Sequence, residues 1–345
     1  MRASGGHAGR ATALVAAISL GALGASAGAS GADGVFWQGR TPKDGTALVA
    51  GVGRELRIAV DATGPAGFRV RIWASRLPRG AKLERVGEEP TQTIFRWRPT
   101  RRQLGEWGVV FHAASGSALA PTLSIRVHVG RRATRSFRLS NVRARSQHAT
   151  LLRAVAVRAR PSRTARVVAR LRASTPKHVP HVVYLLRGTI DRHGRYWLRV
   201  RLPILPNGSS GWIPREAVGT FSSLHTHLVI DRARFRATLY RRGRPVFQST
   251  VGVGEARWPT PAGRFYVRER LTGFTDPIYG ALAFGTNGRS PVLTDWPGGG
   301  FVGIHGTNQP EILPGRVSHG CIRLRKRDIL RLARLMPVGT PLTVR

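Results

Sequence analysis

The chain has 345 residues, of which 41% are hydrophobic and 21% are charged. This length exceeds what one hydrophobic core usually organises, and the hydrophobic share excludes a chain that is disordered throughout, so we expect two or three domains. The formal net charge is +39, and all but four of the 56 Lys and Arg residues are Arg. Their even spread indicates arginine-biased composition or attraction to an anionic polymer, and it argues against a single basic arm for nucleic acid.

The first 30 residues have the layout of a secretory signal peptide. Arg2 and Arg10 give a positive start, residues 11–23 are apolar, and the Ala-Ser-Ala sequence at 25–27 is typical of a cleavage site. The apolar run is short for a membrane span, although an uncleaved anchor is the alternative. We therefore expect export to the cell wall or the extracellular space (the periplasm if there is an outer membrane), where nucleic acid is not a partner.

Residues 34–130 alternate apolar and polar side chains in short runs, such as 56–60 and 123–127, which are separated by Gly- and Pro-rich breaks. Runs of this period predict strands, and their number predicts an all-β sandwich. The stretch FRWRPTRRQLG at 95–105 resembles a pattern of bacterial immunoglobulin-like cell-surface domains, which implies that fold. Residues 131–147 are basic and lack a clear period, so we predict a linker.

Residues 148–220 contain strand-like runs so short and close together that they predict a small β-barrel. The stretches around Trp197 (GRYWLRVRLP) and Trp212 (GWIPREAV) resemble a bacterial SH3-like domain. Domains of that family often bind wall peptide, which the resemblance implies for this segment. The alternative is that both tryptophans only fill the barrel core.

Residues 224–345 begin with hairpin-like runs and end with a helical one, so the whole chain is predicted to be mainly β in three modules. The stretch lacks the glycine-rich fingerprints of nucleotide-binding folds. The predicted elements are strands at 228–230, 237–240, 246–248, 302–304 and 341–344, and a helix at 325–336.

Cys321 is the only cysteine, so an internal disulfide is excluded, and a thiol at neutral pH needs a nearby base to become a nucleophile. His319 shares its face of an extended segment, but this fixed spacing is awkward for proton transfer. His305, at the end of a predicted strand, is the predicted base, with His319 as pocket wall and hydrogen-bond partner. Gly306 and Gly320 let backbone amides approach a substrate, as an oxyanion hole requires.

Three stretches carry a resemblance to the YkuD-type L,D-transpeptidase catalytic domain. They are TPAGRF at 260–265, GIHGT at 303–307 and SHGCIRL at 318–324, and the similarity covers about a third of the chain, 224–345. The resemblance implies a mixed, mainly antiparallel β-sandwich with a small helix. It also implies carbapenem-type β-lactams as covalent inhibitors, with no cofactor, no metal and no obligate protein partner.

The implied reaction has two half-reactions on peptidoglycan stem peptides. Cys321 attacks the carbonyl of the third residue of a donor stem peptide, the terminal D-alanine leaves, and the amine of an acceptor stem peptide resolves the thioester. His305 moves the protons, the carbonyl of Gly306 supports the base, and amides around Gly320 hold the oxyanion. Arg323 stands where some family members have Asn, and its guanidinium suits a substrate carboxylate.

Ser318 and Thr307 are the remaining predicted substrate contacts, and the acids at positions 255, 276 and 295 are candidates for binding donor amines. A zinc site at His305, His319 and Cys321 and an inert buried cysteine are the alternatives for this cluster. Two alternative functions also stay open at this point, namely hydrolysis of the same thioester by water and a non-catalytic wall-binding role.

Overall fold

The computed structural model describes residues 34–38, 41–65, 69–86, 92–274, 276–293 and 300–345, so the predicted signal peptide lies outside the described residues. Strands account for 52% and helices for 8%, which confirms the prediction of a mainly β chain. Among the described residues, no helix has the length and apolar character that crossing a membrane requires.

The first part of the chain forms two sheets that pack face to face. Their strand orders are β1-β3-β6-β5 and β2-β9-β7-β4, with β8 beside β7. Phe95 and Trp97 of one sheet meet Val109 and Phe111 of the other in a common core, as period-two strands with one apolar face require. The strands are β1 (Phe36–Gln38), β2 (Thr46–Gly51), β3 (Leu56–Thr63), β4 (Arg71–Ser75), β5 (Lys82–Val86), β6 (Gln92–Trp97), β7 (Gly105–Ser115), β8 (Ala118–Leu119) and β9 (Leu123–Gly130).

The next part forms one further sheet, called the second sheet here because it follows the two-sheet sandwich of the first part, with order β13-β12-β16-β15-β14-β11-β17 and β10 beside β14. Val157, Leu185, Leu198 and Ile213 are fully buried within it. Trp197 is also buried, and its indole Nε1 donates to Asp191. The strands are β10 (Ser136–Arg138), β11 (Ser146–Thr150), β12 (Val155–Arg158), β13 (Val167–Leu171), β14 (Val182–Ile190), β15 (Tyr196–Arg201), β16 (Ser210–Pro214) and β17 (Ser222–Leu224).

The predicted linker at 131–147 is partly ordered sheet, which corrects the sequence-based expectation. β10 pairs antiparallel with β14, where Phe137 lies opposite Gly188. The Phe137 ring stacks on His128 with centroids 3.3 Å apart, and a Cβ on Gly188 would lie 2.4 Å from that ring. One aromatic side chain that fits over a glycine thus orders a stretch whose basic composition indicated a connection.

The last part forms the third sheet, with order β20-β19-β18-β27-β22-β23-β24-β26-β21-β25, and one α-helix. The helix buries Ile329, Leu332 and Ala333 on the apolar face that its spacing predicts, and it stops before Pro337. The elements are β18 (Thr226–Asp231), β19 (Arg236–Arg241), β20 (Arg244–Thr250), β21 (Gly252–Gly254), β22 (Gly263–Leu271), β23 (Ala283–Arg289), β24 (Phe301–His305), β25 (Gly315–Ser318), β26 (Ile322–Arg323), α1 (Lys326–Leu335) and β27 (Pro341–Val344).

The second and third sheets contact each other through buried side chains of β22 and β23. Tyr266 stacks on Tyr184 with ring centroids 5.8 Å apart, and its hydroxyl donates to the carbonyl of Val182 at 3.1 Å. Asn287 donates from Nδ2 to the carbonyl of Leu202 at 3.1 Å. Because these polar groups are paired across the contact, the two sheets meet in a specific orientation.

Candidate active site

Cys321 and His305 come to the same face because two short parallel strands lie side by side. β24 pairs with β26, with Ile304 opposite Ile322, and both isoleucines are fully buried in the core. Since side chains alternate along a strand, their neighbours turn to the other face. There, the amide of Gly303 donates to Cys321 Sγ at 3.4 Å, and His305 follows two residues after Gly303 on the same face.

These side chains open into one cavity of about 170 Å³. Five of the predicted site residues line it, and Gly306, Thr307 and Gly320 are not among its lining residues. The lining residues also include side chains that the sequence did not indicate. The predicted ones are Ser318, His319, Cys321, His305 and Arg323, and the main additions are Tyr279 and Phe301.

His305 is 3% exposed, and its Nδ1 lies 2.6 Å from the carbonyl oxygen of Gly306. A carbonyl only accepts, so Nδ1 carries the proton and Nε2 of the neutral ring is left as a proton acceptor. Burial lowers the His305 pKa to about 4, and the charge of Arg323 lowers it further, while the Gly306 carbonyl opposes the shift. The imidazole is therefore neutral at pH 7.

Cys321 keeps partial solvent exposure as a residue, but burial of its sulfur raises the thiol pKa above the ordinary value. The Gly303 N–H and the charge of Arg323 favour the thiolate and oppose this rise. With both shifts taken together, the resting site holds a neutral thiol beside a neutral imidazole. Proton transfer between them has to accompany the attack on substrate.

The turn that presents Cys321 is held by hydroxyl groups. Ser318 is buried, donates from Oγ to the carbonyl of Cys321 at 2.6 Å, and accepts from the amide of Gly320 at 3.2 Å. Thr260 Oγ1 donates to the Gly320 carbonyl at 2.9 Å and accepts from Gly254 N–H at 2.8 Å. Gly320 has φ +110°, a conformation that favours glycine.

His319 forms part of the cavity wall and packs against an aromatic side chain. The ring centroids of Trp258 and His319 lie 4.0 Å apart. The guanidinium of Arg257 lies over the Trp258 ring, 3.7 Å from its centroid. Nothing in the sequence pattern indicated Trp258, because its loop meets the Cys321 turn only in the folded chain.

Gly280 is required for the close approach of its loop to Gly306. A Cβ on Gly280, which has φ +62°, would lie 2.9 Å from Gly306 Cα, so the loop before β23 lies directly on the end of β24. This contact brings the edge of the Tyr279 ring to the His305 imidazole, with centroids 5.2 Å apart. Thr307 accepts from the Gln309 amide at 3.1 Å.

Arg323 is 8% exposed and lines the cavity, and its Nε has no hydrogen-bond partner among the described residues. A buried, incompletely paired guanidinium favours an anionic ligand because the charge costs free energy until it is paired. Asp276, also in the lining, accepts from the Ile278 amide at 2.9 Å, and Glu255 pairs with Arg257. Asp295 lies outside the described residues.

The zinc alternative concerned His305, His319 and Cys321. Within the part of the chain that the structure describes, no three or more His, Cys, Asp or Glu side chains are grouped so that they could hold a metal ion.

Comparison with known proteins assigns this part of the chain. Residues 225–344 match the family model described as the L,D-transpeptidase catalytic domain (YkuD). This segment is an L,D-transpeptidase catalytic domain, in agreement with the expectation from the three motif stretches.

Two curated relatives are the YkuD proteins of Bacillus licheniformis and Bacillus subtilis. The first is 34% identical over 106 residues, which cover 31% of this chain and 57% of that protein. The second is 30% identical over 118 residues, which cover 34% of this chain and 65% of that protein. A solved LD transpeptidase in complex with imipenem is 14% identical over 90% of this chain and 99% of its own, with a TM-score of 0.29. The assignment rests on the family model and on the sequence relatives. This chain spans about three fifths of the length of those two relatives.

Proposed function

We propose that this chain is a peptidoglycan L,D-transpeptidase that acts through a thioester on Cys321. One observation carries the proposal: the only thiol of the chain shares a cavity with a neutral imidazole whose Nδ1 proton is held by the Gly306 carbonyl. That arrangement leaves Nε2 of His305 to accept the thiol proton, which is what an activated cysteine nucleophile needs.

In the first half-reaction, Nε2 of His305 takes the proton of Cys321 as Sγ bonds to the carbonyl carbon of the third stem-peptide residue. The bond to the terminal D-alanine then breaks, and the imidazolium gives its proton to the leaving amine. In the second half-reaction, an acceptor amine bonds to the thioester carbon and passes its proton to Nε2. The bond between Sγ and carbon breaks, and the thiol returns.

Burial disfavours the imidazolium, but the Gly306 carbonyl stabilises it while it exists. Backbone amides around Gly320 and Cys321 are the proposed donors to the oxyanion. Arg323 is the proposed partner of a donor carboxylate, and Ser318 and Thr307 are the other proposed contacts. Ser318 acts at least by holding the turn, since its hydroxyl bonds to the Cys321 carbonyl.

The organisation of the remaining chain belongs to the same proposal. We propose an exported protein with a signal peptide at 1–30, an immunoglobulin-like sandwich at 34–130 and an SH3-like barrel at 148–220 ahead of the catalytic domain at 224–345. The face-to-face sheets of the first part and the eight-stranded second sheet support this division. Export would bring the active site to its proposed substrate in the wall.

The decisive experiment uses the sole cysteine as its own reporter. Incubated with imipenem, the full chain should gain the mass of one inhibitor molecule in intact mass spectrometry, and Cys321→Ala should gain none. His305→Gln should form the adduct at least roughly a hundredfold more slowly, the lower range for loss of a general base. Gln248→Ala, a change at an exposed position of the edge strand β20, is the control and should match the parent.

A donor tetrapeptide then separates the outcomes. Cross-linked product that appears only with an added amine acceptor supports transpeptidation, and trimmed tripeptide alone would mean that water resolves the thioester. If neither an adduct nor a product forms, the catalytic proposal is contradicted and a wall-binding role is favoured.

A further inference from the structure

One side chain of the cavity wall, Phe301, is enclosed by two positive charges. The guanidinium carbon of Arg268 lies 4.3 Å from the ring centroid, and that of Arg289 lies 4.9 Å from it. Phe301 begins β24, two residues before Gly303 and four before His305. The position of this ring therefore affects both the width of the cavity and the strand that carries the catalytic histidine.

Arg268 takes its place because of a β-bulge. In the pairing of β22 with β23, Val267 lies opposite Thr286 and Glu269 lies opposite Gly285, so Arg268 is an extra residue. Such a bulge re-aims side chains, and here it breaks the usual alternation. Arg268 and Glu269 are consecutive, yet both are buried and Arg268 Nη2 lies 2.6 Å from Glu269 Oε1.

Gly285 makes the space for this pair. A Cβ at that position would lie 2.6 Å from both Cγ and Oε1 of Glu269. The carboxylate of Glu269 thus lies directly over the backbone of β23. Arg268 Nε has no hydrogen-bond partner among the described residues, so Glu269 is a principal anchor of the guanidinium.

The second sheet supplies the next contact on each side. Thr175, in the loop after β13, is 3% exposed and donates from Oγ1 to Glu269 Oε2 at 2.5 Å. Asn207, in the loop after β15, accepts from the Arg289 amide at 3.0 Å and donates to the Arg289 carbonyl at 2.7 Å. Two loops of one sheet therefore support the two arginines beside Phe301, one through Glu269 and the other through the backbone of Arg289.

We infer that Thr175 and Asn207 are positioning residues of the catalytic cavity, through which the second sheet sets the place of Phe301. The sheet that precedes the catalytic domain then does more than bind or tether: it completes the support of the cavity wall. This inference rests on the proposed function for its biological meaning, but the geometry it describes is measurable without any catalysis.

The test compares two thiol reagents on the full chain, since each can modify only Cys321. The alkylation rates by small iodoacetamide and by bulky N-phenylmaleimide are measured through intact mass, and their ratio reports the cavity opening. Thr175→Val and Asn207→Ala should raise the ratio of bulky to small reagent roughly threefold or more, as expected for a coupled contact. Global loosening would also admit the bulky reagent, and a control variant that weakens the same contact between the two sheets separates it from the proposed role.

Tyr266→Phe is the matched control. It removes a hydrogen bond between the same two sheets, from the Tyr266 hydroxyl to Val182, without touching Arg268, Arg289 or Phe301. Its ratio should equal that of the parent chain. Should Thr175→Val fail to fold, Glu269→Gln, which keeps the shape and removes the charge, takes its place beside Asn207→Ala.

The inference is overturned if the folded variants keep the parent ratio, or if Tyr266→Phe changes it as much as they do. With imipenem, the same variants should show weaker apparent binding and a limiting acylation rate near that of the parent. If the parent forms no imipenem adduct, the proposed function fails while the reagent ratio still decides the positioning role.

Discussion

At the scale of single residues, the main result is the protonation state of the proposed catalytic pair. Burial lowers the His305 pKa from 6.5 to about 4, which disfavours the imidazolium by about 3 kcal/mol. Burial raises the pKa of Cys321, whose sulfur accepts from the Gly303 amide at 3.4 Å. Both shifts oppose an ion pair, so charge should develop on the pair only as substrate reacts.

This state predicts the pH dependence of Cys321 reactivity. A raised thiol pKa means that thiolate forms only above the ordinary range, so alkylation by iodoacetamide should be slow at pH 7 and still be rising at pH 9. The rate is followed by intact mass from pH 5 to 10. The same chain in urea, with its thiol exposed, should titrate near pH 8.5, the value of free cysteine. A plateau of reactivity between pH 5 and 7 would instead reveal a thiolate–imidazolium pair.

At the scale of elements, a threonine far from Cys321 in sequence holds the turn that presents this cysteine. Thr260, 1% exposed, connects the Gly254 amide at the end of β21 with the Gly320 carbonyl. The TP-x-G-x-F stretch resembled a family motif, but its sequence did not say what the threonine does. Its hydroxyl satisfies two buried backbone groups that would otherwise have no partner.

Thr260→Val should therefore destabilise the chain although it preserves the shape of the side chain. Two buried backbone groups lose their partner at about 1–3 kcal/mol each, so we expect a loss of about 2–6 kcal/mol in the free energy of unfolding. Urea denaturation followed by fluorescence measures it. Thr250→Val, at an exposed position of β20, should stay within about 0.5 kcal/mol of the parent. Equal effects of both changes would refute the assignment.

At the scale of the whole molecule, the two-sheet sandwich of the first part is joined to the second sheet by a charged contact. Arg215, 6% exposed, donates from Nε and Nη2 to the carboxylate of Glu106 and from Nη1 to the Val218 carbonyl. The Ala47 amide adds a backbone hydrogen bond to Gly194 at 2.8 Å. A buried guanidinium depends strongly on its counter-charge, so Glu106 should couple the unfolding of these parts.

Glu106→Gln should lower the thermal stability of the first two sheets and separate their unfolding from the rest. Because the Glu106 side chain is 17% exposed, we expect the substitution to lower the free energy of unfolding by about 2–3 kcal/mol, less than the loss of a fully buried pair would. Calorimetry should show a new or shifted low-temperature transition. Glu84→Gln breaks a pair with Arg96 at a side chain that is 42% exposed, and should cost less than about 1 kcal/mol. Indistinguishable scans for the two variants would contradict this coupling.

The sequence by itself determined the mainly β class, the bounds of the C-terminal helix to within a residue, and the identity of the catalytic domain. These features are written in local patterns: the spacing of Ile329 and Leu332 marks a helix face, and SHGCIRL is contiguous. The residues that form each of these patterns lie close together in the sequence, so the patterns can be recognised without the tertiary structure.

Only the tertiary structure decided which distant groups meet. The Gly303 amide reaches Cys321 Sγ because β24 and β26 pair in parallel, and Phe137 orders a predicted linker because Gly188 leaves room for its ring. Likewise, a bulge in β22 aims Arg268 at Phe301. The partners in each contact lie far apart along the chain, so their packing leaves no period or local spacing in the sequence from which it could be read.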